Sequence, residues 1–182
     1  MTRWLLDALE IEGFRGINNE GDPLVLKFSR DAVNSISAQN GTGKSSIFEA
    51  LGFALRGTIP KLSELPAAEG GSTYYVNQFH SKKTGTITLT VSPDGGGGGP
   101  VRITVTCDQY ASRTVAGPAG IDANALLAEL NRDFVLLDYK TFQSFIDKKA
   151  LDRGRVFAGL LGLSRPGVID ASGAIRDVSS IV

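Results

Sequence analysis

The stretch from Asn34 to Ser46, N-S-I-S-A-Q-N-G-T-G-K-S-S, limits what this chain can fold into more than any other part of it. Closed by Gly43-Lys44-Ser45, it has the layout of a phosphate-binding loop, which requires a strand before it and a helix after it. Glycines let the backbone wrap a phosphate chain with its N–H groups pointing inward. Lys44 then reaches the terminal phosphates and Ser45 offers a hydroxyl to a bridging Mg2+, while the amino end of the following helix favours negative charge. These residues point to a nucleoside triphosphate. The pattern G-x-x-x-x-G-K-[ST] is broken at one place: Ala38 stands where the first glycine falls. Alanine adds only a methyl there.

The flanking residues supply both required elements. Ala32 to Ser37, with Val33 and Ile36 as its apolar residues, reads as a short buried strand. Beyond Lys44, the residues Ile47, Ala50, Leu51, Ala54 and Leu55 recur at helical spacing, and Gly57 stands where such a helix ends.

Composition bounds the rest. A chain of 182 residues with 42% apolar content can bury one sizeable core. No run of about 18 apolar residues is present to cross a membrane, and the first residues lack the apolar stretch of a signal peptide, so a cytoplasmic protein is expected. Cys107 is the lone cysteine, which excludes an internal disulfide or a thiolate metal cluster. The 19 basic and 19 acidic residues cancel, leaving no overall electrostatic footprint for nucleic acid. His80, the one histidine, is expected as a surface or packing residue.

Strand signals surround the loop. Leu9 and Ile11 alternate with Glu10 and Glu12, and Leu24, Leu26 and Phe28 line a second candidate strand after the break at Gly21-Asp22-Pro23. This predicts an antiparallel opening. Ile87, Leu89 and Val91, then Val101, Ile103, Val105 and Cys107, form two more alternating runs joined by the flexible glycines Gly95 to Gly99. The segment from Gly57 to Ser81, rich in Pro, Gly and small residues, reads as a long excursion off the core. Asp122 is placed to cap a helix running through Asn131, and Asp147 to cap another that carries Leu151, Val156, Phe157, Leu160 and Leu161 before Gly162.

Several of these stretches carry a family resemblance. The opening L-E-I-E-G-F-R-G-I, the loop A-Q-N-G-T-G-K-S-S, the helix I-F-E-A-L-G-F-A-L-R-G and the later D-R-G-R-V-F-A-G-L-L-G-L resemble the amino-terminal part of SMC/RecF-type ATPase heads, over residues from about Leu9 to Leu163. The resemblance implies an α/β P-loop NTPase fold of the ABC-head type, in which an antiparallel β-sheet flanks a P-loop strand–helix core. It implies ATP and Mg2+ as ligands, held by Arg15, Asn40, Gly41, Thr42, Gly43, Lys44, Ser45 and Ser46, with Ser45 on the metal. Val76 and Asn77 match the segment that approaches base and ribose. DNA as a partner, and ATP-dependent pairing of two heads, are likewise implied by resemblance alone. The family's glutamine loop falls on Tyr139 in an ungapped register, with Gln143 four residues later as the substitute. Either Gln143 takes that role or the function is altered.

The family's signature motif, acidic Walker B strand and switch histidine have no counterpart after Leu163. The expectation is therefore an amino-terminal head portion over 1–163 and a helical tail over 164–182, where Val168, Ala171, Ile175, Val178 and Val182 keep heptad-like spacing at the root of a coiled coil or lid. Such a chain binds ATP and turns it over poorly, because hydrolysis also needs an acid on Mg2+ and a residue that orients water. Two alternatives stay open. Asp138, after the apolar run Phe134 to Leu137, could serve as the Walker B aspartate of a complete small P-loop kinase or GTPase. Ala38 and Tyr139 could instead mark a degenerate site in a non-catalytic interaction module.

Overall fold

A computed structural model of the chain describes residues 3–63, 74–95, 98–109, 112–133, 136–137, 142–143, 146–149 and 152–154. The chain divides into two compact units, Met1–Phe134 and Val135–Val182. The first carries the elements that position the site.

Its sheet follows from the alternation in the sequence. Strands β1 (Trp4–Glu12), β2 (Leu24–Lys27), β3 (Thr84–Pro93), β4 (Val101–Asp108) and β5 (Arg113–Ala116) lie in the order β2-β1-β3-β4-β5, each pair antiparallel. The register lines up two apolar rows. One runs Leu26, Leu9, Leu89, Ile103, and the other runs Leu24, Ile11, Ile87, Val105, Val115. Slipping any strand by one residue would turn its row out to water, so the pattern itself fixes the pairing. Alternate positions are polar: the Thr88 and Thr104 hydroxyls meet at 3.1 Å, and Arg102 pairs with Glu10 at 2.7 Å on the exposed surface.

Helices cover the apolar rows. Helix α1 (Lys44–Arg56) packs on β1 and β3, and α3 (Ala123–Asp133) packs on β5 and on α1; a single turn, α2 (Pro60–Ser63), follows α1. The helical spacing after Lys44 is realised with Ala50, Phe53, Ala54 and Leu55 buried. Gly57 ends α1 in the left-handed conformation at φ 75°, its N–H donating to the Phe53 carbonyl. Arg113 on β5 satisfies another terminal carbonyl, Nη2 donating to Ala54 O at 2.6 Å. Asp122 caps α3 as expected, with Oδ1 accepting from the Asn124 and Ala125 amides at 3.0 Å each.

Two expectations need correction. Ala32 to Ser37 does not form a strand: the backbone has no ladder there, residues 29–42 are exposed throughout, and Val33 is 97% exposed. A loop-bearing strand of this kind is normally buried between parallel neighbours, and among the described residues all sheet pairing is antiparallel and engages other segments. In the segment 57–81, residues 64–73 lie outside the described residues, and the described parts on either side of them are less of an excursion than their composition suggests. Ile59, Leu62, Tyr75 and Val76 are buried, and Val76 bridges to Phe14. His80 is a packing residue, 1% exposed. The proposed tail over 164–182, its heptad residues, the 163/164 boundary, Asp138, Tyr139 and the residues of the helix from Leu151 onward named above lie outside the described residues.

Asp122→Ala removes both cap bonds and should cost about 1 kcal/mol of stability in denaturant unfolding. Cys107 sits in the core, where burial pushes its thiol up to about 11. Because the folded form holds its proton above the ordinary value, this contribution to stability is complete below pH 9 and is lost as pH rises to about 11. Unfolding midpoints of wild type and Cys107→Ser across that range should converge; parallel curves would contradict the assignment.

Candidate nucleotide site

The loop reaches its helix through a glycine that no other residue could replace without strain. Gly43 is the residue preceding α1, at φ 96°, and Gly41 is left-handed as well at φ 84°. A Cβ on Gly43 would also stand 3.1 Å from Ile17 Cγ1, so the loop and the turn after β1 meet closely here. Being glycine, Gly43 offers no side-chain acceptor to the first-turn amides, and no acidic residue lies in that turn. The amino end of this 13-residue helix is therefore positive and has no side-chain cap.

The side chains around it are arranged to match. Lys44 curls back over the loop, Nζ donating to the Ala38 carbonyl at 2.6 Å and to that of Gln39 at 2.5 Å. Thr42 Oγ1 donates to Gln39 O at 2.7 Å, tightening the same turn. Asn40 and Ser45 are exposed. Ser46 is buried and turned inward, its Oγ accepting from the Gly16 amide at 3.0 Å.

Arg15 comes to the same end of α1 from the turn after β1. Its Nε donates to Glu49 Oε2 at 2.8 Å and its Nη1 to the Tyr74 carbonyl at 3.2 Å. Beside it opens a cavity of about 960 Å³, with Arg15, Gly16, Asn18, Ser46, Asn77 and Lys83 in its wall. Of the expected site residues, Arg15 and Ser46 line this cavity, together with Val76 and Asn77; Asn40 to Thr42 lie in the exposed loop, Gly43 is half-buried, and Lys44 and Ser45 open α1. Gln143 belongs to the second unit, where it is exposed and its carbonyl accepts the Asp147 amide at 3.0 Å.

Glu49, Gly16 and Asn18 were not anticipated. Glu49 left a trace, as the one acid in α1 and flanked there by the apolar residues Phe48 and Ala50. Gly16 and Asn18 gave none, because their roles depend on a turn folding against a helix far away in sequence. No group of three or more His, Cys, Asp or Glu side chains that could hold a metal occurs among the described residues. A Mg2+ here would be held through Ser45 and phosphate oxygens, the usual donor set for that ion on a nucleotide.

A family model described as an AAA domain matches residues 8–152. The chain belongs to this AAA domain family. No curated protein matches it by sequence. Among solved structures, this AAA domain is similar to an SMC ATPase studied for ATP-driven dimerization and DNA-stimulated activation, with TM-score 0.64 and 16% identity over 85% of this chain and 98% of that one. It is also similar to the recombination mediator RecF with ATP, from the RecFOR pathway, with TM-score 0.52 and 15% identity over 86% of this chain. The AAA domain chain spans 38% of that RecF chain. Its fold is that of the amino-terminal part of SMC/RecF-type P-loop heads, as the resemblance in sequence implied.

Gly43→Ala should destabilise the domain by about 1–2 kcal/mol, the cost of a side chain in the left-handed region. Gly99→Ala, where an added Cβ meets open space, should leave the unfolding midpoint within error.

Proposed function

We propose that this chain carries the Walker A half of a composite ATP site in an SMC/RecF-type ATPase. The observation that carries this is the uncapped amino end of α1, with no acid in its first turn and with Lys44 held by the loop carbonyls of Ala38 and Gln39. A lysine resting on two main-chain oxygens is stored where a phosphate can take it, since a charge-assisted bond to phosphate is the stronger one. The amides of Gly41, Thr42, Gly43, Lys44 and Ser45 would cradle the phosphates, with Asn40 at the loop's edge and Ser46 fixing the helix start to Gly16. The Ser45 hydroxyl would hold Mg2+. Arg15 would add positive charge from the opposite side, and the cavity along Val76 and Asn77 would take the ribose and base.

Hydrolysis by this chain alone would be slow, because Glu49, the acid among the site residues named above, is taken up by Arg15 at 2.8 Å. Head-to-head pairing on ATP and action on DNA, in repair or maintenance, are proposed for the whole protein. The similar SMC ATPase, described by its ATP-driven dimerization and DNA-stimulated activation, supports that extension. The exposed backbone at 29–42 supports a head completed by further strands over the alternative of a closed small kinase.

The test is an equilibrium titration with a fluorescent ATP analogue and Mg2+. Lys44→Ala should weaken binding by about 10–100-fold, the loss of a charge-assisted bond. Unchanged affinity in that variant would point to a non-catalytic interaction module.

A further inference from the structure

The turn that presents Arg15 is strained, and the strain is concentrated. Among the described residues, the non-glycine residues with positive φ are Arg15 at 52°, Asn19 at 41° and Lys83 at 52°. All three fall in two short segments, 13–21 and 74–83, that are hydrogen-bonded to each other. For arginine this conformation costs about 1–2 kcal/mol, so surrounding contacts must enforce it.

Those contacts converge on His80. Its ring lies over Gly13 so closely that a Cβ there would be 2.6 Å from Cδ2. Ring Nδ1 is 2.9 Å from Asn18 Oδ1, and the Asn18 carbonyl accepts the Gly13 amide at 2.8 Å. The His80 amide donates to Asn77 O at 3.0 Å. Asn77 in turn donates its amide to Gly13 O at 2.9 Å and its Nδ2 to Arg15 O at 2.7 Å, while the Arg15 amide donates to Tyr75 O at 3.0 Å. On the other side of the ring, Nε2 faces Glu12 Oε1 at 3.9 Å. Glu12 is itself anchored by the Gly21 amide and by Lys82, which hold its carboxyl below the usual range.

We propose that His80 is a positioning residue for nucleotide binding, acting through Arg15: its buried ring locks the 13–21 turn to the 74–83 segment and so fixes where Arg15 stands. It is 1% exposed and has no place in the cavity wall, so it does not touch the ligand. The proposal rests on the nucleotide reading of the site. Its distinguishing feature is coupling to Arg15, which a merely structural histidine would lack.

Asparagine and glutamine separate the contacts. The amide of Asn can reach Asn18 from the position of ring Nδ1, whereas that of Gln takes the place of Nε2 and leaves Asn18 without its partner. The full chain is titrated with N-methylanthraniloyl-ATP and Mg2+ as wild type, His80→Asn, His80→Gln and Lys44→Ala, and both His80 variants are repeated in an Arg15→Ala background. His80→Gln should weaken binding about fivefold, the worth of one hydrogen bond, and His80→Asn by no more than about twofold. In the Arg15→Ala background neither should change affinity further, the signature of residues acting as a unit. Equal losses in both backgrounds, or Asn no better than Gln, would overturn the proposal. An undiminished affinity in Lys44→Ala would overturn the nucleotide reading and this proposal with it. Should His80→Gln fail to fold by circular dichroism, His80→Met, similar in volume and without the ring's polar atoms, takes its place with the same expected loss and the same overturning result.

Discussion

Phe53 ties the parts of the site together. On the buried side of α1, its ring meets Phe14 at 5.7 Å and Tyr75 at 5.1 Å between centroids, both tilted. Phe14 belongs to the turn after β1, Tyr75 to the segment before β3, and Phe53 to the helix that begins at Lys44. One aromatic cluster, worth several kcal/mol in buried area, thus fixes the loop's helix against the two segments that carry Arg15 and Asn77. The hydrogen bonds among those segments refine a placement that packing has already set. Without the cluster, the turn that carries Arg15 would not be held against the helix that begins at Lys44.

The sheet and both long helices were legible because their signals are local. Alternation in Leu9 to Glu12 and Ile87 to Val91 specified a half-buried antiparallel sheet, and Asp122 and Gly57 marked helix ends by their own chemistry. The strand expected at Ala32 to Ser37 was not realised, for a reason that sequence cannot reveal. β-branched residues make a strand only when a neighbour accepts their hydrogen bonds, and the described sheet offers none there. The burial of His80 was half legible, since a lone histidine is ambiguous until its neighbours are known. Gly16, Asn18 and Glu49 joined the site through contacts that span tens of residues and leave no periodic trace.

Two kinds of order meet at the candidate site. The apolar rows and the aromatic cluster form a rigid frame, while the stretch 29–42 runs exposed to solvent along one side of it. Lys44 bridges the two, with its backbone in the helix and its ammonium on the loop. An anion arriving at the helix end would draw this lysine off the carbonyls of Ala38 and Gln39 and gather the loop around itself. On the reading proposed above, the exposed stretch would then be held from one end by its ligand.

Amide hydrogen exchange with and without Mg-ATP measures that effect residue by residue. Nucleotide should slow exchange together at Gly41 to Ser46 and at Arg15 to Ile17, with the amides of β4 unchanged. Slowing confined to the sheet, or none at the amino end of α1, would contradict it.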